Sequence, residues 1–219
     1  MNPLCEYVEE ATASRRNTII KQCKFPKPFI TKWYNDAEDI LSFYLSEIRD
    51  DPRQLSIEID RLRTAVYDSE AEKKYAFASA SALKSFLKEE ESVRRTLDPF
   101  KLEMAVNENR HKFILKGVQI SLRPELIVRD AEGKAQLGFV KFYFGKDDPL
   151  SEARGELMAC LLKHYFELEH GFSFKNQHCM VLDVYRSKLF YAPKAYKRRL
   201  ADIEASLQEI SDRWGSITL

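Results

Sequence analysis

No apolar run in these 219 residues approaches the roughly 18 to 20 needed to span a bilayer as a helix, so the sequence predicts a protein with no membrane-spanning helix. Cysteine is sparse and scattered: Cys5, Cys23, Cys160 and Cys179 form no CxxC pair, which excludes a zinc ribbon and predicts reduced, mostly buried thiols. Histidine is equally sparse, and His111, His164, His170 and His178 lack the close helical spacing of a zinc site. Excess charge of either sign is absent too. Thirty-five Lys and Arg against 34 Asp and Glu give a net charge of +1, which excludes a uniformly basic nucleic-acid binder and leaves a local basic face open. There is no internal repeat and no low-complexity linker, and the first ten residues carry no signal-peptide pattern, so a cytoplasmic protein is expected.

What is present is an ordinary globular composition, 44% hydrophobic and 32% charged, long enough for one sizeable domain or a core with a helical extension. The chain changes character near residue 110. Before it, apolar residues recur at helical spacing: Ile40, Leu41, Tyr44, Leu45 and Ile48, then Leu55, Ile59, Leu62 and Val66, then Ala76, Ala80, Leu83 and Leu87. Proline suits a first helical position, and Asp51-Pro52, Asp98-Pro99 and Asp148-Pro149 each set a capping acid before one. Phe25-Pro-Lys-Pro28 instead breaks a helix. These signals predict helices near 4–22, 29–49, 52–67, 70–92 and 99–108, packed on the second half of the chain.

After residue 110, β-branched and aromatic residues crowd into short runs, predicting strands at about 111–121, 125–130, 136–144, 178–185 and 188–192. Asp130-Ala-Glu-Gly133 reads as a turn, so the first three strands form an antiparallel meander. From Pro149 to about Glu169 one helical face carries Leu150, Ala153, Leu157, Leu161, Leu162, Tyr165 and Leu168, with Gly171 as its stop. A crossover of that length lets Cys179–Tyr185 lie parallel to the third strand. A last helix carries Leu200, Ile203, Leu207, Ile210 and Trp214. The fold class is therefore α/β (α+β): an N-terminal helical region over 1–98, then a mixed central sheet with flanking helices over 99–219.

Two residues in this core carry chemistry. Glu125 follows Pro124 at a strand start, and Lys141 stands inside the apolar run Leu137-Gly-Phe-Val-Lys-Phe-Tyr-Phe144, where lysine needs a partner. A surface strand start for Glu125, an edge-strand position for Lys141, and a structural ion pair between Lys141 and Asp183 are the plain alternatives.

Residues 99–192, with Pro124-Glu125 and Lys141, resemble the PD-(D/E)XK, or restriction-endonuclease-like, nuclease superfamily in their order of helix, three meandering strands, crossover helix and further strand. The resemblance implies a magnesium- or manganese-dependent phosphodiesterase site in which Glu125 ligates the metal and Lys141 orients the attacking water. It also implies a second acid two residues before the lysine, on the same side of the strand. That position is Phe139, which cannot ligate magnesium. Catalysis on this pattern requires a displaced carboxylate, Glu152 or Glu156 from the following helix, with Glu103 or Glu108 from the preceding one as an additional ligand.

Two basic islands bear on the partner. Between Ala11 and Asn35 lie Arg15, Arg16, Lys21, Lys24, Lys27 and Lys32, with Phe25, Phe29, Trp33 and Tyr34 and no acid. Between Arg186 and Arg199 lie Arg186, Lys188, Lys194, Lys197, Arg198 and Arg199, with Phe190, Tyr191 and Tyr196. Cations in the first turns of a helix oppose its macrodipole by about 0.3–1 kcal/mol each, a cost that binding a polyanion offsets. A solvated positive face balanced by neighbouring acids is the other reading. Two function classes follow: a nucleic-acid-binding protein of nuclease-like fold acting on DNA or RNA, with catalysis in question, and a non-catalytic scaffold whose helical half carries a protein partner.

Overall fold

A computed structural model describes residues 1–10, 12–26, 33–105, 111–171 and 173–218, without the side chains of His111 and His170. Lys27, Phe29, Lys32 and Glu108 from the sequence analysis therefore lie outside the described residues. The element order is α1 (Asn2–Glu9), α2 (Ala13–Lys24), α3 (Asn35–Phe43) running into a π-turn (Tyr44–Ile48), α4 (Arg53–Thr64), α5 (Glu70–Leu87), α6 (Glu90–Leu97), β1 (Lys101–Met104), β2 (His111–Leu115), β3 (Val118–Leu122), β4 (Leu126–Arg129), β5 (Gln136–Tyr143), α7 (Glu152–His170), β6 (Cys179–Asp183), β7 (Lys188–Tyr191) and α8 (Tyr196–Trp214).

Five strands form one mixed sheet in the order β1-β4-β5-β6-β7, while β2 and β3 form a separate hairpin. The β5–β6 pair is parallel, as a crossover through α7 requires, and the other pairs are antiparallel. Strand alternation divides the apolar residues between two cores. Phe139, Tyr143, Cys179 and Val181 pack on one face with α1, α2, α7, α8 and the hairpin. Val140, Phe142, Met180 and Leu182 pack on the other with α3 to α6. The first 98 residues are thus shared between the two faces.

Local chemistry explains the boundaries. Ser69 accepts a hydrogen bond from the Glu72 N–H at 3.2 Å, a capping interaction that starts α5. Ser151 does the same for α7 through the Arg154 N–H at 3.0 Å, and Gly171, at φ +71°, ends that helix. The helix expected over 4–22 is two helices, with the Glu10 carboxylate accepting from the Thr12 N–H at 2.7 Å between them. The helix expected over 70–92 breaks after Leu87, where the Ser187 hydroxyl donates to the Phe86 carbonyl at 3.1 Å.

Two expectations are corrected. The segment read as a helix over 99–108 has no helix among its described residues and holds strand β1 at Lys101–Met104. Asp98 caps the C-terminus of α6 instead of starting a helix, and Leu102 alone is buried within Lys101–Met104. The single strand expected over 111–121 is the β2–β3 hairpin, turned at Lys116 and Gly117, both at positive φ. The first strand of the meander is therefore β1, with the hairpin inserted between it and β4.

Burial bears out the expectation for three of the four thiols: Cys5, Cys160 and Cys179 are buried, and desolvation pushes each up to about 12. Cys23 is exposed. Native protein is expected to react with a disulfide reagent at Cys23 first, with the other three thiols titrating only after unfolding. Rapid modification of all four in native buffer would contradict this packing.

Candidate functional site

The β4–β5 register places Leu126 opposite Val140 and Ile127 opposite Phe139. Just before β4 the Glu125 N–H donates to the Val140 carbonyl at 2.9 Å, which sets Glu125 next to Lys141. The two side chains meet: one carboxylate oxygen of Glu125 accepts from the Lys141 ammonium and the other from the Phe142 backbone N–H. The carboxylate thus also satisfies a backbone donor of β5. The Glu125 side chain is 1% exposed and that of Lys141 17%. Burial pushes the Glu125 carboxyl above its ordinary range, and Lys141 opposes the shift. A further pair, Glu38 with Arg123 at 2.6 Å, lies close enough for the Glu38 charge to reinforce the rise.

Phe139 shares the Lys141 side of β5 and is fully embedded. Its ring stacks on Phe166 of α7 with centroids 3.5 Å apart and meets Phe174 edge-on at 5.6 Å. The space where the resemblance would put a second acid is aromatic core.

The other described acids named from sequence are engaged elsewhere. Glu103 stands on β1, not on a preceding helix, and pairs with Arg129 on the neighbouring strand. Glu152 binds Lys188 at 2.8 Å, and Glu156 binds Arg199 at 2.9 Å. Asp183 is not the partner of Lys141: its carboxylate accepts from the Leu150 N–H at 3.2 Å and faces Arg186 at 3.5 Å. The parallel register explains this, because Asp183 sits beside Tyr143, two residues past Lys141. Of the candidate catalytic and metal residues, the fold brings together Glu125 and Lys141. Among the described residues no three His, Cys, Asp or Glu side chains group as a metal site.

The basic islands divide in the same way. Arg15 pairs with Glu6, Arg16 with Glu209 at 3.2 Å, and Lys24 donates to the Trp214 and Ile217 carbonyls at 2.5 and 2.9 Å. These contacts fasten α2 to α1 and to the end of α8. Lys188 and Arg199 are held by Glu152 and Glu156, as noted, and Arg186 by the Gly145 and Lys146 carbonyls. Lys21, Lys194, Lys197 and Arg198 are exposed and form no ion pair among the described residues.

Comparison with family models, with curated proteins and with solved structures finds no match.

One group escaped the sequence reading. The Arg154 guanidinium forks onto Asp148 at 2.9 and 2.8 Å, donates to the Pro149 carbonyl and lies over the Tyr143 ring. Tyr143 in turn donates to the Asp148 carboxylate at 2.9 Å. Arg154 holds the Asp148 carboxyl below its usual range. The cluster fixes the loop from β5 into α7 and so sets where Phe166 meets Phe139. Its sequence signal was the acid six residues before an arginine, which the Asp-Pro pair disguised as a helix cap.

Proposed function

We propose that this chain is a non-catalytic binding protein built on a restriction-endonuclease-like core, with its helical half as the partner surface. The observation that carries this reading is the Phe139 ring stacked on Phe166 beside a Lys141 already closed by Glu125. A metal-dependent nuclease needs oxygen ligands converging on the lysine. Here an aromatic pair stands in that place, and Glu152 and Glu156 hold Lys188 and Arg199. The strand order and the parallel step through α7 support nuclease-like ancestry, and the filled site supports loss of the chemistry.

The test is cleavage of single- and double-stranded DNA and RNA with magnesium or manganese. No metal-dependent cleavage is expected from the wild-type chain. Cleavage that Lys141→Ala abolishes would overturn the reading. Phe139→Asp is expected to destabilise the protein by about 3–5 kcal/mol without creating activity, since it removes a buried ring and buries a carboxylate.

A second reading, binding of a polyanion such as DNA or RNA, is favoured by Lys194, Lys197 and Arg198, which are exposed around the start of α8 and form no ion pair among the described residues. If these three cations neutralise phosphates, oligonucleotide affinity falls with salt at a log–log slope of about 0.7–0.9 per phosphate, and reversal of all three to Glu removes that slope. Salt-independent binding, or none, excludes this reading.

A further inference from the structure

The charge that nearly cancels over the whole chain is unevenly placed. Between Asn35 and Asp60 there are eight acids and two bases, a local net charge of −6 in a chain of net +1. The two bases are already engaged: Arg49 donates to the Phe100 carbonyl at 2.9 Å, and Arg53 binds Asp51 at 2.7 Å. Asp39, Glu47, Asp50 and Asp60 are exposed and form no ion pair among the described residues.

This acidic segment frames an apolar groove of about 310 Å³ between α3 with its π-turn on one side and α4 on the other. Ile40, Phe43, Tyr44 and Ile48 line one wall and Leu55 the other; Asp39 also lines the groove, exposed, as does Glu58, which Arg61 holds at 2.7 Å. Phe43 leaves 49% of its surface in water, although Leu41 and Leu45 on either side of it are fully buried. The π-turn at Tyr44–Ile48 widens the helix where the groove runs, and such turns recur at functional sites.

We propose that this groove docks a cationic amphipathic helix from a partner protein. The wall from Ile40 to Ile48 covers about 12 Å at a helical rise of 1.5 Å per residue, two turns in length. A helix laid along it matches that span with apolar side chains at i, i+3, i+4 and i+7. Asp39, with the exposed Glu47 and Asp50 on the same segment, then meets Lys or Arg on the flanks of the incoming helix, which raises the association rate and rejects acidic partners. The proposal rests on the reading of the chain as a non-catalytic binding protein and names the chemistry of its partner.

The test uses an amidated Lys/Leu peptide with leucines at helical spacing, titrated against the full chain by fluorescence anisotropy. Saturable binding is expected, weakened at least tenfold by Phe43→Glu. That substitution sharpens the test, because it adds an acid: attraction to a negative surface alone would strengthen, and docking in the groove weakens. Asp39→Lys with Glu47→Lys, both exposed, is expected to weaken binding severalfold and flatten its salt dependence while the thermal midpoint holds. No saturable binding, or binding unchanged or tightened by Phe43→Glu, overturns the proposal. So does a dimer in sedimentation that Phe43→Glu dissolves, since a second copy would then be the occupant. Nuclease activity with intact peptide docking defeats the non-catalytic reading alone. Failure of docking without cleavage defeats the groove alone.

Discussion

Lys141→Met is expected to lower the stability of the folded chain by about 3 kcal/mol, because removing one partner of a buried ion pair leaves the other charge uncompensated. Glu125 has little escape: its side chain is 1% exposed and sits under β5 with its second oxygen on the Phe142 N–H. The loss carries a pH signature. Burial already raises the Glu125 carboxyl from its reference of 4.5, and without Lys141 to oppose it the rise is larger. Above 4.5 the unfolded chain releases this proton while the folded chain retains it, so the folded state binds more protons. Stability then falls as pH climbs through that window. The variant should therefore approach wild type in acid and fall furthest behind at neutral pH, as read from urea midpoints across a pH series. Glu125→Gln added to Lys141→Met keeps an acceptor for Phe142 without the charge, and recovers most of the neutral-pH loss and removes its pH slope. A loss below about 1 kcal/mol that is flat with pH would instead mean that solvent screens the pair.

Gly138→Ala is expected to be at least as damaging, at about 3 kcal/mol or more. A Cβ at Gly138 would stand 1.9 Å from the His178 carbonyl oxygen and 2.5 Å from its carbon. These are backbone atoms immediately before β6, so no rotamer change relieves the overlap, and β5 and β6 must separate at their parallel junction. Gly171→Ala is the matched control. Among the described residues nothing lies within 4 Å of a Cβ there, and only its left-handed φ of +71° resists, at about 1–2 kcal/mol. Thermal midpoints of the two variants should differ clearly. Equal midpoints would show that the β5–β6 contact yields more easily than its backbone spacing implies.

The convergence of Glu125 and Lys141 was legible only coarsely: the Asp130–Gly133 turn puts them on neighbouring antiparallel strands, while the irregular register that brings the two side chains together has no residue signature. Asp183, the alternative partner for Lys141, lies two residues further along the parallel register. The β1 strand was missed because Asp98-Pro99 carries the same signal whether it opens a helix or ends one, and four residues of alternation are too few to decide. The burial of Phe139 under Phe166 joins residues 27 apart in the chain and leaves no local mark. The acidic groove was legible as composition, in eight acids over 26 residues, and not as shape, since the π-turn that opens it has no residue signature.

The sharing of the first 98 residues between both faces of the sheet has a consequence for dissection. A fragment ending at residue 98 would strand α1 and α2, whose partners are α7 and α8, and strip α3 to α6 of the strands they cover. A fragment beginning at residue 99 would expose apolar strand residues on both faces at once. Neither half is an excisable module, so mapping a partner by truncation would report aggregation, and point substitutions on the intact chain are the way to locate its contacts.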